Sequence, residues 1–240
     1  MAAATRRSLV VTCEHASNAV PESLRSLSLP KSVLSQHVAW DEGALPVARA
    51  IAAAFSAPLL SGSWSRLVID LNRSVDHPRL CAASVLGCLV PGNRGLDAAA
   101  RQRRVKRWWL PFRLRAQRAV ERAIAASGSC LHLSVHSFVE RLHGKERKAD
   151  VGLLFHPQRP RERAFVTALQ RALVRRGLTV RKNFPYFGHT DGHTQSLRSV
   201  HTATRYLGIE IELNQRTART KRGQRRFADA LVEALRETVG

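Results

Sequence analysis

The sequence predicts an α/β protein, three layers deep, with helices on both sides of a mixed, mostly parallel central sheet. Three observations lead there. Short apolar runs rich in β-branched residues recur along the chain, and helical stretches with one apolar face separate them. No repeat, low-complexity segment or long Gly/Ser linker breaks the alternation. The 240 residues suffice for one sizeable core, and the continuity predicts a single domain over residues 1–240.

Leu9 to Thr12 reads as the first strand. Residues 17–40 hold Pro21, Pro30 and several serines and read as loop with short helical turns. Asp41 to Phe55 reads as a helix with Asp41 as N-cap; Leu45, Ala48, Ile51, Ala52 and Phe55 share one face, and Pro58 stops it. Leu67 to Leu71 reads as the next strand, ending in Asn72-Arg73. A loop with Pro91, Gly92 and Gly95 follows, then a long amphipathic helix from Ala98 to Ala126, kinked near Pro111. Cys130 to Val135 reads as a strand that runs straight into His136, and Val151 to Phe155 as another. A helix from Arg161 to Arg176 stops at Gly177, and a short strand follows from Leu178 to Arg181. Gly192 to Tyr206 reads mostly as loop, Gly208 to Leu213 as a strand, and Gly223 to Thr238 as the closing helix.

Bulk properties exclude several function classes. No apolar stretch is long enough to cross a bilayer; Ala44 to Leu60 is interrupted by Pro46, Arg49 and Pro58. Arg6 and Arg7 precede an apolar run that gives way at Thr12-Cys13-Glu14, too short for a signal peptide, so the expected location is cytoplasmic with no membrane partner. Cys13, Cys81, Cys88 and Cys130 contain no C-x-x-C pair and read as reduced, part-buried thiols. No glycine-rich phosphate loop follows a strand, which disfavours a nucleotide-binding fold. The net charge of +21 comes largely from two basic stretches, Arg101 to Arg122 and Arg216 to Arg226. Around Trp108 and Trp109 the first has the mixture of cations and aromatics that binds nucleic acid. Arginines on solvated helix faces are the plainer reading and the favoured one, and the same field would draw a small anionic substrate.

In open α/β sheets ligands bind beyond the carboxyl ends of the strands, and three groups of polar residues fall there. His15 and His136 each follow an apolar strand. Imidazole is the commonest zinc ligand, and a catalytic zinc takes three protein ligands and a water. Asp41, with His37 four residues before it, is a candidate third; singly, each His reads equally well as a satisfied core or surface residue. Asn72-Arg73 places an amide donor and a fork-shaped cation at the same edge, as a clamp for a carboxylate would; the alternative is a salt bridge from Arg73 to Asp70 or Asp76. Glu210 and Glu212 alternate with Ile209 and Ile211 and therefore share a face. Two such acids serve as general base, metal ligand or solvated edge.

Taken in order, Val10 to Asn18 (VVTCEHASN), His37 to Ala44 (HVAWDEGA) and Ser65 to Arg73 (SRLVIDLNR) resemble the N-formylglutamate amidohydrolase family. Ser134 to Phe138, Asp150 to Gly152, Asn183 to Gly188 and Leu207 to Ile211 continue the resemblance, which runs from about Leu9 to the closing helix. It implies a fold similar to that of zinc carboxypeptidases and aspartoacylase. It also implies a zinc-dependent hydrolase acting on the linear amide of a small anionic N-acyl amino acid, N-formylglutamate or a relative, through a zinc-activated water. His15, Asp41 and His136 would hold one Zn²⁺, with Glu14 competing against Asp41 as the carboxylate ligand. Glu210 would be the general base and later the acid that protonates the leaving amine. Arg73 with Asn72 would bind the amino-acid carboxylate, and Arg66 would polarise the scissile carbonyl or bind a second carboxylate. Asn183, Tyr186 and Gly188 would form part of the pocket wall. Many family members are expected to carry Arg two residues after the catalytic Glu. Glu212 stands there in this chain, and an acid at that point would alter the acyl or side-chain group accepted. The alternatives are a zinc peptidase or deacylase for another substrate, and a nucleic-acid-binding protein on a hydrolase-like scaffold.

Overall fold

The computed structural model describes residues Ser8–Val239, so the reading of Arg6 and Arg7 lies outside the described residues. The main elements are β1 (Ser8–Cys13), α1 (Ala44–Ala54), β2 (Leu59–Ser61), α2 (Ala98–Arg104), α3 (Leu110–Ser127), β3 (Cys130–Phe138), β4 (Val151–Leu154), α4 (Pro160–Arg175), β5 (Val180–Lys182), α5 (His193–Val200), β6 (Tyr206–Asn214) and α6 (Lys221–Val239). The sheet order is β2-β1-β3-β6-β4-β5. All neighbours run parallel except β6 and β4, so the expected mixed, mostly parallel sheet with helices on both sides is what the chain forms.

Side chains alternate across a strand, and here the alternation separates an apolar face from a polar one. Leu131, Leu133 and Val135 of β3, with Ile209, Ile211 and Leu213 of β6, face α1, α4 and α6 and form the main core. The intervening residues face α3 and α5. On that side Val10, Cys130 and Tyr206 pack against Ala119, Val120, Ala123 and Ile124 of α3, but His132, Ser134, His136, Glu210 and Glu212 are polar and nonetheless buried. Buried polar groups are tolerated where they bond to one another, and this polar stripe is where the site forms.

Leu67 to Leu71 is not a strand. It is a buried turn-rich segment, and the edge strand is the preceding Leu59–Ser61. Its apolar side chains fill a second core with Leu80, Val90 and Phe112, while its backbone carbonyls bond to side chains instead of to a neighbouring strand. Asn93 donates to Leu67 O at 2.8 Å, Arg104 to Val68 O at 2.9 Å and Arg113 to Leu71 O at 3.1 Å. Arg104 and Arg113 are thus buried structural residues, and the basic stretch is not wholly a solvated face. That stretch runs through a π-helical turn at Val105–Trp109, which places the wide turn just before Pro111 in the first turn of α3.

Two further differences bear on the site. Asp41 is not the N-cap of α1; the helix begins after Gly43, whose φ of 83° and close packing against Ala218 O leave no room for a Cβ. This frees the Asp41 carboxylate to face inward. Residues 192–206, expected mostly as loop, contain α5.

Candidate active site

A cavity of about 250 Å³ opens at the carboxyl end of β1, β3 and β6. Its floor is built by three residues from three elements. His15 follows β1, Asp41 precedes α1, and His136 lies within β3, one turn of the pleat beyond where the sequence ends that strand. All three are buried. Asp41 Oδ2 stands 3.2 Å from His15 Nδ1 and 2.8 Å from His136 Nδ1, and the three ligand atoms fall within 4.8 Å of one another.

The far nitrogen of each imidazole is also assigned. His15 Nε2 meets Asp70 Oδ1 at 2.7 Å, and His136 Nε2 meets Glu14 Oε2 at 3.3 Å and Ser134 Oγ at 2.9 Å. A buried carboxylate behind a histidine fixes the tautomer and turns the other nitrogen toward the metal, so this donor set fits a divalent cation. The two competing carboxylates sit in different groups of possible ligands, Asp41 with His15 and His136, and Glu14 with His132 and His193. Asp41 lies on the Nδ1 side with both histidines, whereas Glu14 lies behind the His136 ring.

Electrostatics follow from this packing. Burial, with Arg66 nearby, lowers His15 to about 4. Burial opposes charge on His136 as well, but the hydrogen bond and charge of Glu14 overcome it and raise His136 to about 9. Glu14 is held well below the usual carboxylate range; burial works against it, and the bonds from His136 and His193 win. For Asp70, burial is likewise outweighed by the His15 ring and by Arg66 and Arg73, so its carboxyl is lowered.

Arg66 is ion-paired with Asp41 Oδ1 and lines the cavity. His37 is 3.5 Å from the same Asp41 oxygen and bonds to Gln215, outside the ligand trio. Arg73 also lines the cavity, with carboxylate oxygens of Asp70 and Asp191 at 4.0 Å and 3.8 Å, so it is loosely held rather than locked in a salt bridge. Asn72 lines it too. Its Oδ1 accepts the His193 backbone N–H at 2.8 Å, which leaves Nδ2 for a ligand. Glu210 and Glu212 both reach the cavity. Glu210 Oε1 accepts the Thr194 hydroxyl at 2.5 Å, whereas Glu212 Oε2 is buried with no hydrogen-bond partner. Burial raises Glu212 to about 7, with His136 opposing and Glu210 adding to the rise.

Of the three wall residues expected from the sequence, only Tyr186 lines the cavity. Asn183 Oδ1 accepts from Phe155 N at 3.0 Å and Gly188 N at 3.1 Å, and Gly188 packs so closely on Phe155 that a Cβ would lie 2.2 Å from its nitrogen. These two shape the loop that carries Tyr186. Sequence reasoning passed over Asp70 as a site residue, Ser134, Asp191, His193, Thr194 and Arg79, which also lines the cavity. Only the alternation Leu131-His132-Leu133-Ser134-Val135-His136 carried a signal, since it puts His132 and Ser134 on the face of His136.

Comparison with known proteins now decides the family. The family model described as N-formylglutamate amidohydrolase matches residues 7–218. The chain belongs to the N-formylglutamate amidohydrolase family. Members hydrolyse amides, and this amidohydrolase chain shares its fold with two solved relatives. One is the gene product Atu2144 from Agrobacterium tumefaciens, 31% identical, covering 97% of this chain and 90% of that one with a TM-score of 0.87. The other is the N-formylglutamate amidohydrolase from Ralstonia eutropha JMP134, 22% identical, covering 96% and 93% with a TM-score of 0.74. No curated protein matches the amidohydrolase chain. Among its described residues no helix is long and apolar enough to cross a membrane.

Proposed function

We propose that this chain hydrolyses the amide bond of a small N-acyl amino acid, with one zinc ion held by His15, Asp41 and His136. The observation that carries the reading is the pair of carboxylate–histidine contacts, Asp70 to His15 and Glu14 to His136, which leave both Nδ1 atoms on the side of Asp41. When bound, zinc lowers the pKa of a water and polarises a carbonyl.

The chain's own groups supply the rest. Arg73 and the Asn72 amide bind the amino-acid carboxylate, a planar anion that a guanidinium meets with two parallel N–H bonds. Arg66, in the wall beside Asp41, stabilises negative charge that develops on the acyl oxygen. Glu210 takes the proton from the attacking water and returns it to the amine as it leaves. Its Oε1 is fixed by Thr194, so the other oxygen is the one that moves the proton. Glu212, whose Oε2 is buried without a hydrogen-bond partner beside the cavity, bears on which acyl or side-chain group is accepted. The small cavity suits an acylated amino acid better than a peptide.

Glu210→Gln and Glu212→Gln test the roles with a panel of N-acyl amino acids. Glu210→Gln should lower kcat by about 10²–10⁴ with zinc content unchanged by elemental analysis. Glu212→Gln should shift preference within the panel and keep turnover. Most activity surviving in Glu210→Gln would remove it as the base. Zinc retained in full by His136→Ala would sink the ligand assignment.

A further inference from the structure

Three residues of one segment outside the ligand trio and the clamp bond to groups of this site, Asp191 from the cavity wall and His193 and Thr194 from behind it. Asp191 lies against the Arg73-Ser74 corner, accepting from Ser74 N at 3.3 Å. His193 gives its backbone N–H to Asn72 Oδ1 at 2.8 Å, and its ring Nδ1 bonds Glu14 Oε1 at 2.6 Å. Thr194 donates its hydroxyl to Glu210. His193 and Thr194 are buried, and Arg198, one turn on, bonds the Thr194 oxygen at 3.2 Å and Glu162 at 3.0 Å, so the first turn of α5 is itself held from behind.

We propose that His193-Thr194 is the positioning element of the site, setting three groups at once: Glu14 behind the ligand His136, Asn72 of the carboxylate clamp, and Glu210. The proposal rests on the reading of the site given above. Its physical content is that each contact fills a lone pair that otherwise competes with the working interaction. Glu14 Oε1 is occupied by His193, so Oε2 stays on His136 and Ser134. Asn72 Oδ1 is occupied, so the amide presents its NH₂ to substrate. Glu210 Oε1 is occupied, so one carboxylate oxygen faces the water. Neither residue touches the reacting atoms; each acts through another.

Two pairs of variants separate positioning from mere packing. His193→Leu removes the donor to Glu14, and His193→Asn restores one, because the Asn amide nitrogen stands about where Nδ1 does. Zinc affinity, measured by competition with a chromogenic chelator and needing no turnover, should weaken about tenfold in His193→Leu and recover in His193→Asn. Thr194→Val should lower kcat about tenfold with KM held within twofold, and Thr194→Ser should restore it. The proposal is overturned if His193→Leu binds zinc as tightly as the unmodified protein. It is also overturned if Thr194→Val turns over normally while Glu210→Gln is inactive. A uniform loss of kcat, KM, zinc and thermal stability in both variants, with no rescue by Asn or Ser, reduces the segment to structure. Activity retained by Glu210→Gln would instead strike at the reading of the base, leaving the zinc arm to decide His193.

Discussion

Asp70 shows how much of a site can hide in one residue. From the sequence it is a nearby acid that would pair with Arg73; in the fold its nearest partner is His15 Nε2, it accepts the Asn72 backbone N–H at 2.9 Å, and Arg73 stands farther off at 4.0 Å. On the proposed function, one carboxylate both orients a metal ligand and shapes the clamp. Asp70→Asn keeps the size and an acceptor but removes the charge that makes His15 a stronger ligand. Zinc affinity should fall about 10–100-fold, read by chelator competition, with little change in thermal stability of the metal-free protein. An unchanged affinity would mean that Asp70 serves the clamp alone. That His15, Asp41, His136, Asn72 and Arg73 meet at one cavity was legible because a motif series carries them in order and the sheet-edge rule puts them on one side. The partners behind them were not, since a carboxylate that meets a ring across 55 residues leaves no local pattern. Glu210 and Glu212 were legible as a pair from the period of two; what distinguishes them, a Thr194 hydroxyl on one and an unpartnered oxygen on the other, comes from α5.

At the scale of elements, the instructive misreading is Leu67 to Leu71. Five residues with Val and Ile at the centre carry strand propensity, yet the strand needs a partner and the sheet edge is already taken by Leu59–Ser61. The segment solves its backbone problem with side chains from the arginine-rich helix. Arg104 donates to Val68 O, to Asn93 Oδ1 at 2.6 Å and to Gly92 O at 3.3 Å. Arg104→Ala leaves those acceptors buried and unpaired and should destabilise the protein by about 2–4 kcal/mol in urea unfolding, each orphaned acceptor costing about 1–3 kcal/mol. Arg104→Lys should rescue little, because a single ammonium cannot span the carbonyls that the fork reaches. A loss under about 0.5 kcal/mol for Arg104→Ala would show that water enters to replace it. The long strands and helices were legible because period and breakers agree there. α5 was not, because its eight residues, from His193 to Val200, include no strong cap: Gly192 precedes it and the capping acceptor is the distant Asn72.

For the whole molecule the remaining question is the net charge of +21. Part of it is structural: Arg104, Arg113 and Arg198 are buried against carbonyls or Glu162. Part is paired on the surface, as in Arg175 and Arg176 with Glu237, or Arg216 with Glu146. The rest gives the molecule as a whole a positive field, although the cavity itself is lined by Asp41, Asp70, Asp191, Glu210 and Glu212 beside Arg66, Arg73 and Arg79. A field of that sign raises the encounter rate of a small anion and is screened beyond about 10 Å at 0.1 M salt. If it serves the substrate, kcat/KM for an anionic N-acyl amino acid should fall several-fold between about 0.05 and 0.5 M salt, with kcat unchanged. The corresponding uncharged amide should show no such slope. If the field serves nucleic acid through the Trp108-Trp109 stretch, the signature differs: retention on DNA or RNA that drops by about 10³-fold or more over a fourfold rise in salt, as several phosphate contacts require. Trp109 already gives its indole N–H to Arg73 O at 2.9 Å and carries Arg113 over its ring, so it props the clamp from outside. That engagement favours the substrate arm: a tryptophan fixed to the clamp backbone is less free to stack a base, and the salt slope on kcat/KM should be the one observed.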